Sequence, residues 1–193
     1  MEETTKNFIA LNGASVNAQK AFDAAFSEDF TDIPKGQKTS WAMAAIIHCD
    51  ICRQVVTFNE CKVDGLARLL FIADITSKLF EAHRWYFGAG SELLKGIARD
   101  KGLSEESIID TLKKLASLHK IGKIQSYADY RNKFGYHYDQ NALSYLKEFG
   151  DEDANDLHNL LMGFVKYSGD WAKITKSLIQ DGKIPTNMLY RTS

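Results

Sequence analysis

The sequence predicts an all-α protein, a helical bundle of about five to seven helices forming a single domain over residues 1–193. Three observations carry that expectation. The two prolines are Pro34 and Pro185, so residues 35–184 contain none of the strongest helix breaker. Apolar residues recur every three to four positions through most of the chain, and no alternating run of useful strand length interrupts them. The hydrophobic share of 45% and charged share of 25% suit a chain that buries one substantial core.

The elements follow in order. A first helix is expected through "VNAQKAFDAAF", with Phe22 and Phe26 four apart on one face, after an irregular tail at 1–14. "SEDFTDIPKGQKTS" reads as a polar loop. Thr39 or Ser40 then caps a second helix whose stripe is Ala44, Ile47, Ile51, Val55 and Phe58. "NECKVDG" connects it to a third. There the rows Leu66, Leu69, Leu70, Ala73, Phe80 and Ile72, Ile75, Leu79 cover so much of the circumference that this helix is expected to be the central, most buried one. It should break at Gly88–Gly90. "LSEESIIDTLKKLASL" is marked as a helix by Ser104 at its N-cap and acidic residues in its first turn, with Ile108, Leu112, Leu115 and Leu118 inward.

Further on, "NALSYLKEF" reads as a short helix capped by Asp139 or Asn141, and "GDEDAND" as an acidic loop. The last helix, Ala154 to Gln180, repeats Leu157, Phe164, Trp171 and Leu178 at intervals of seven. That spacing fits either the core of the bundle or a dimer seam. Residues 182–193 read as a second irregular tail.

A net charge of −1 excludes the overall basic character of a dedicated duplex-binding protein. Nucleic-acid binding would need a local patch, and one exists. Lys113, Lys114, Lys120, Lys123, Arg131 and Lys133 fall within 21 positions, beside His119 and opposed in that interval by Asp129 alone. The N-terminus lacks the pattern of a secretory leader, and no apolar run approaches the ~18 residues of a membrane span. With three cysteines, an odd number, a cytoplasmic location with free thiols is expected. Cys49 and Cys52 in "HCDIC", with Cys61 nearby, lack the second ligand pair of a zinc site and read as small buried hydrophobes. "GAGSELLKG" has neither the preceding strand nor the G-K-[ST] ending of a phosphate loop. No metal and no cofactor is expected.

The stretch "SYADYRNKFGYHYDQN" carries the candidate chemistry. Arg131 and His137 form an R-x5-H pair, with the polar Asn132 directly after the arginine. Cleavage of RNA without a metal needs a base for the 2′-hydroxyl proton and a cation for the phosphate. Histidine titrates near neutrality and suits the first task; arginine, permanently charged and bidentate, suits the second. Asn132 can hold a phosphate oxygen or orient His137. Six residues of regular helix leave the two side chains about 120° apart around the axis. Convergence therefore needs a break at Gly135, or a two-fold dimer that brings Arg131 of one chain to His137 of the other. Tyr127, Tyr130, Tyr136 and Tyr138 are either stacking surfaces for unpaired bases or core and interface residues. On the structural alternative, Arg131 only caps a helix or pairs with a carboxylate such as Asp139.

"YRNKFGYHYD" resembles the signature of the HEPN superfamily, R-x(4–6)-H with a polar residue, often Asn, after the arginine. The echo "HYD" at His137–Asp139 is similar to related abortive-infection proteins. The resemblance covers the motif closely and the rest of the chain at the level of helix content. It implies a helical-bundle homodimer whose two motifs share a cleft. For active members it implies a metal-independent endoribonuclease of a toxin or phage-defence type, with Arg131, Asn132 and His137 catalytic. Other members are non-catalytic modules that bind RNA, a nucleotide or a protein. Lys120, Lys123, Lys133, Tyr130, Tyr136 and Tyr138 would then contact RNA, and an antitoxin or other regulatory protein is a further implied partner. Members paired with nucleotidyltransferase antitoxins often have tyrosine two residues after the histidine; Asp139 stands there in this chain.

Overall fold

The structure, a computed structural model, describes residues 2–27, 33–60, 65–132 and 151–185. Within these it is all helical: α1 Glu2–Phe26, α2 Lys35–Glu60, α3 Gly65–Phe87, α4 Ala89–Asp100, α5 Glu105–Leu118 and α6 Asp151–Asp181. A 3-10 helix, Ile121–Tyr127, and one α-helical turn, Ala128–Tyr130, follow α5. Among the described residues no helix is long and apolar enough to cross a membrane. Cys61, Asp139, the "NALSYLKEF" segment and the stretch 186–193 lie outside the described residues, as do the side chains of Leu66 and Leu69.

The last helix, not the third, is the centre of the bundle. Leu157, Leu161, Phe164, Tyr167, Trp171, Ile174 and Leu178 of α6 are fully buried within the one chain, so the sevenfold repeat is core and not a dimer seam. α3 buries one face, Ile72, Ile75, Leu79, Ala82 and Tyr86. Its opposite side, with Leu70 at 43% exposed together with Asp74, Lys78 and Glu81, faces outward. An apolar row on α3 had suggested burial all round. The polar residues interleaved with it decide the matter, because each would need a buried partner.

The α3–α6 contact is aromatic. Tyr86 stands edge-on to Tyr167 with centroids 5.1 Å apart, and Trp85 meets Trp171 at 5.1 Å. Edge-to-face geometry of this kind adds to simple area burial. α2 crosses the same helix through the expected stripe. Ala44, Ile51 and Val55 are buried, and Ile47 and Phe58 pack partly buried against the core.

Several features differ from expectation, and one of them is the start of α6 at Asp151, inside the stretch "GDEDAND" that reads as an acidic loop; aspartates and a glutamate suit a helix's first turn as well as a loop. α1 begins at Glu2, so residues 2–14 are helical rather than a tail. Ala14, Ala21 and Ala24 lie buried along one face, and that register runs straight through Gly13, which weakens a helix by about 1 kcal/mol without breaking it. α2 starts at Lys35, directly after Pro34, where a proline-fixed backbone favours a first turn. Thr39 and Ser40 are therefore interior; Thr39 Oγ1 donates back to the Lys35 carbonyl at 3.0 Å. Leu118 ends α5 with 39% exposure instead of facing inward, because the chain turns away at the next two residues.

Other expected signals hold. The Ser104 hydroxyl accepts from the Ser107 amide at 3.4 Å, capping α5. The break at Gly88–Gly90 is steric. A Cβ on Gly88 would lie 2.8 Å from the Arg84 carbonyl oxygen, and one on Gly90 would strike the Trp85 ring at 2.7 Å.

Candidate functional site

The motif segment is positioned by a backbone reversal and a change of helix type. His119 ends α5, and Lys120 takes a left-handed conformation, φ 53°, which a side-chain-bearing residue adopts at a cost of about 1–2 kcal/mol. The chain then winds with three residues per turn, so every third side chain eclipses. Ile121, Ile124 and Tyr127 form the buried row. Lys123 and Ser126 form an exposed one, and Lys120, also exposed, stands at the left-handed turn before it. Tyr127 belongs to the core, at 8% exposure, and is not a stacking platform.

His119 ties this turn to α6 twice. Its carbonyl oxygen packs against Gly163 so closely that a Cβ there would overlap it. Its Nε2 lies 3.0 Å from Asp170 Oδ2, and Lys173 Nζ donates to Asp170 Oδ1 at 3.1 Å. The acid that meets this turn is thus Asp170, distant in sequence, besides the local Asp129. Only the Asp170–Lys173 spacing, one helical turn, hinted at part of this.

Arg131 follows the turn Ala128–Tyr130 and reaches α3. Its Nη2 donates to Glu81 Oε1 at 2.8 Å, and the guanidinium carbon lies 5.4 Å from the centre of the Phe80 ring. The side chains are 29% and 46% exposed respectively, so solvent screens the pair. Glu81 also lines a groove of about 800 Å³ beside α2 and α3, with Ile47, Ile51 and Trp85 on its wall. On that rim Asp50 accepts from Arg53 at 2.7 Å and lies 3.9 Å from Lys78. Neither Glu81 nor Phe80 was identified from sequence, because nothing local marks a partner fifty positions away.

Of the expected site residues, Lys120 and Lys123 are each exposed at the start of this turn, Arg131 docks on α3, and Asn132 is exposed. Lys133, Tyr136, His137 and Tyr138 lie outside the described residues, as does the side chain of Tyr130.

A second polar cluster lies between α2 and α6. Ser168 Oγ donates to the Val165 carbonyl at 3.1 Å and lies 2.8 Å from His48 Nδ1, so the ring nitrogen donates and the hydroxyl accepts. This leaves His48 Nε2 facing Cys52 Sγ at 3.7 Å. Burial, aided by Lys173, holds His48 below its ordinary range. Burial also pushes the Cys52 thiol up to about 11 and raises Cys49, where Asp50 adds to the effect. Neither thiol is an activated nucleophile.

Comparison with protein-family models, with curated proteins and with solved structures finds no match.

Proposed function

We propose that the chain acts on RNA as a HEPN-like, metal-independent endoribonuclease of a defence or toxin type, working as a homodimer. Arg131 binds and polarises the phosphate, His137 is the general acid/base and Asn132 positions. The 2′-oxygen attacks phosphorus as its proton passes to the base, the bond to the 5′-oxygen breaks, and a 2′,3′-cyclic phosphate and a 5′-hydroxyl result. The observation that supports this reading is the placement of Arg131. It caps the turn Ala128–Tyr130 through its backbone, while its side chain stands partly exposed against Phe80 and donates to Glu81, a solvent-screened carboxylate that lines a large groove. The exposed Lys120 and Lys123 add the sequence-independent attraction that phosphate backbones need.

A specific observation favours a second reading, a non-catalytic module that binds RNA, a nucleotide or a regulatory protein. Glu81 already accepts from Arg131 Nη2, a donor that a phosphate would use, so the arginine's charge is partly committed to the fold and a protein partner suits the module better than a phosphate does. Incubating the protein with structured and unstructured RNA in chelator separates the two. Cleavage that survives chelation and vanishes in His137→Ala supports the enzyme. Binding without cleavage supports the module. If Arg131→Ala and His137→Ala alter neither, the motif is not the site.

A further inference from the structure

A second cleft lies on the opposite side of α2 from the groove that Glu81 lines, where α1 and α6 both flank α2 without closing on one another. It encloses about 300 Å³. Its floor is α2, through Trp41 and His48. Two contacts fix how α2 and α6 lie: His48 meets Ser168, and Phe58 stacks on His158 with centroids 5.6 Å apart. Ten residues forward on α2 therefore correspond to ten residues back on α6, so the helices are antiparallel. By that register Trp41 stands level with residue 175, which puts Ala172 and Lys176 beside it across the cleft.

The walls are built from small residues. Gly169 lets α6 approach the His48 ring, where a Cβ would lie 3.3 Å from Cε1. Gly13 on α1 is different, because a Cβ there would meet nothing within 4 Å. A mid-helix glycine lowers helix stability, and at this position no close neighbour requires it. What its missing side chain provides is open cleft. The rim carries charge of one sign. Lys173 and Lys176 sit one turn apart on α6, both exposed. Lys173 shares Asp170 with His119, while Lys176 has no ion pair among the described residues. His48 is spent on Ser168 and held neutral by burial, so the interior is aromatic and uncharged.

An aromatic floor, a wall left open at Gly13 and two ammonium groups at the mouth fit one class of ligand. We propose that this cleft binds a small phosphorylated compound with a flat ring, of the mononucleotide class, its ring inserted against Trp41 and its phosphate held between Lys173 and Lys176. This site is separate from Arg131 and from the groove that Glu81 lines, and does not depend on RNA cleavage.

The test uses the full chain with AMP, adenosine and inorganic phosphate as probes, followed by calorimetry and tryptophan fluorescence. AMP is expected to saturate one site per chain and quench fluorescence. Adenosine and inorganic phosphate should each bind at least about tenfold more weakly, since each lacks one half of the recognition. The double variant Lys173→Gln/Lys176→Gln, on the surface and with helicity verified by circular dichroism, should weaken AMP by about tenfold or more while leaving adenosine unchanged. Gly13→Leu should abolish both by filling the cleft, and Trp41→Phe should remove the quench. No saturable AMP binding overturns the proposal. So does AMP affinity that is untouched by the lysine pair and by Gly13→Leu. Inorganic phosphate binding as tightly as AMP overturns the flat-ring assignment.

Discussion

The Arg131 guanidinium and the Glu81 carboxylate meet at 2.8 Å and join the motif turn to α3 across fifty positions of sequence. If the arginine serves phosphate, Glu81 is its competitor. Glu81→Gln keeps the shape and removes the charge, so RNA should bind more tightly and with a steeper salt dependence, one further cation being free to release counterions. Affinity measured at two salt concentrations checks this. An unchanged slope would mean that Arg131 does not meet phosphate.

Gly163 and Gly13 should respond to alanine with opposite signs. At Gly163 the added methyl runs into the His119 carbonyl, which is backbone and cannot rotate away. A loss of about 1–3 kcal/mol is expected. At Gly13 the methyl meets nothing, and higher helix propensity should stabilise by about 0.5–1 kcal/mol. Urea denaturation of the two variants reads both.

Leu157 and Leu178 mark the two ends of the α6 repeat, and each is fully buried inside one chain. Leu157→Ala and Leu178→Ala should each cost about 2–5 kcal/mol. Neither should change the oligomeric state in sedimentation, which a dimer seam would not permit.

Stability should fall on mild acidification. Burial lowers both His48 and His83 from the ordinary 6.5. The unfolded chain therefore takes up protons at these positions before the folded chain does. Their contribution is intact above about pH 6.5 and is lost as pH drops through the lowered folded values. Replacing both by glutamine should flatten the difference in unfolding free energy between pH 7.5 and 5.5.

The Cys52 thiol, buried and pushed up to about 11, should resist alkylation at pH 8. Its labelling should be at least about tenfold slower than in urea, with Cys49 reacting earlier. Peptide mass spectrometry resolves the sites.

Much of this fold was legible because helix periodicity is a property of neighbours. The α5 cap at Ser104, the break at Gly88–Gly90 and the buried repeat Leu157–Leu178 all rest on residues within a few turns of each other. What sequence concealed was long-range or off-period. Ile121, Ile124 and Tyr127 keep a spacing of three, a usable 3-10 signal that hides beside ordinary α-helical spacings. The α1 start was hidden because glycine at 13 looks like a terminus, and only packing on α2 shows that it is not. For the candidate site, Arg131 was singled out by its sequence spacing to His137, which lies outside the described residues. The arginine's partners Glu81 and Phe80, and Asp170 beside His119, become visible only when helices far apart in the chain meet.

The glycines also say how the sequences of relatives should be read. Positions 88, 90 and 163 ought to stay glycine wherever this bundle is kept, since a Cβ at any of them would overlap backbone or the Trp85 ring. Invariance there would report descent of the fold and carry no news of chemistry. Position 13 is under no such constraint. Should it remain glycine in lineages that retain Trp41, Lys173 and Lys176, and drift to alanine or larger where those are lost, the pattern of substitution would trace the history of the cleft apart from that of the fold.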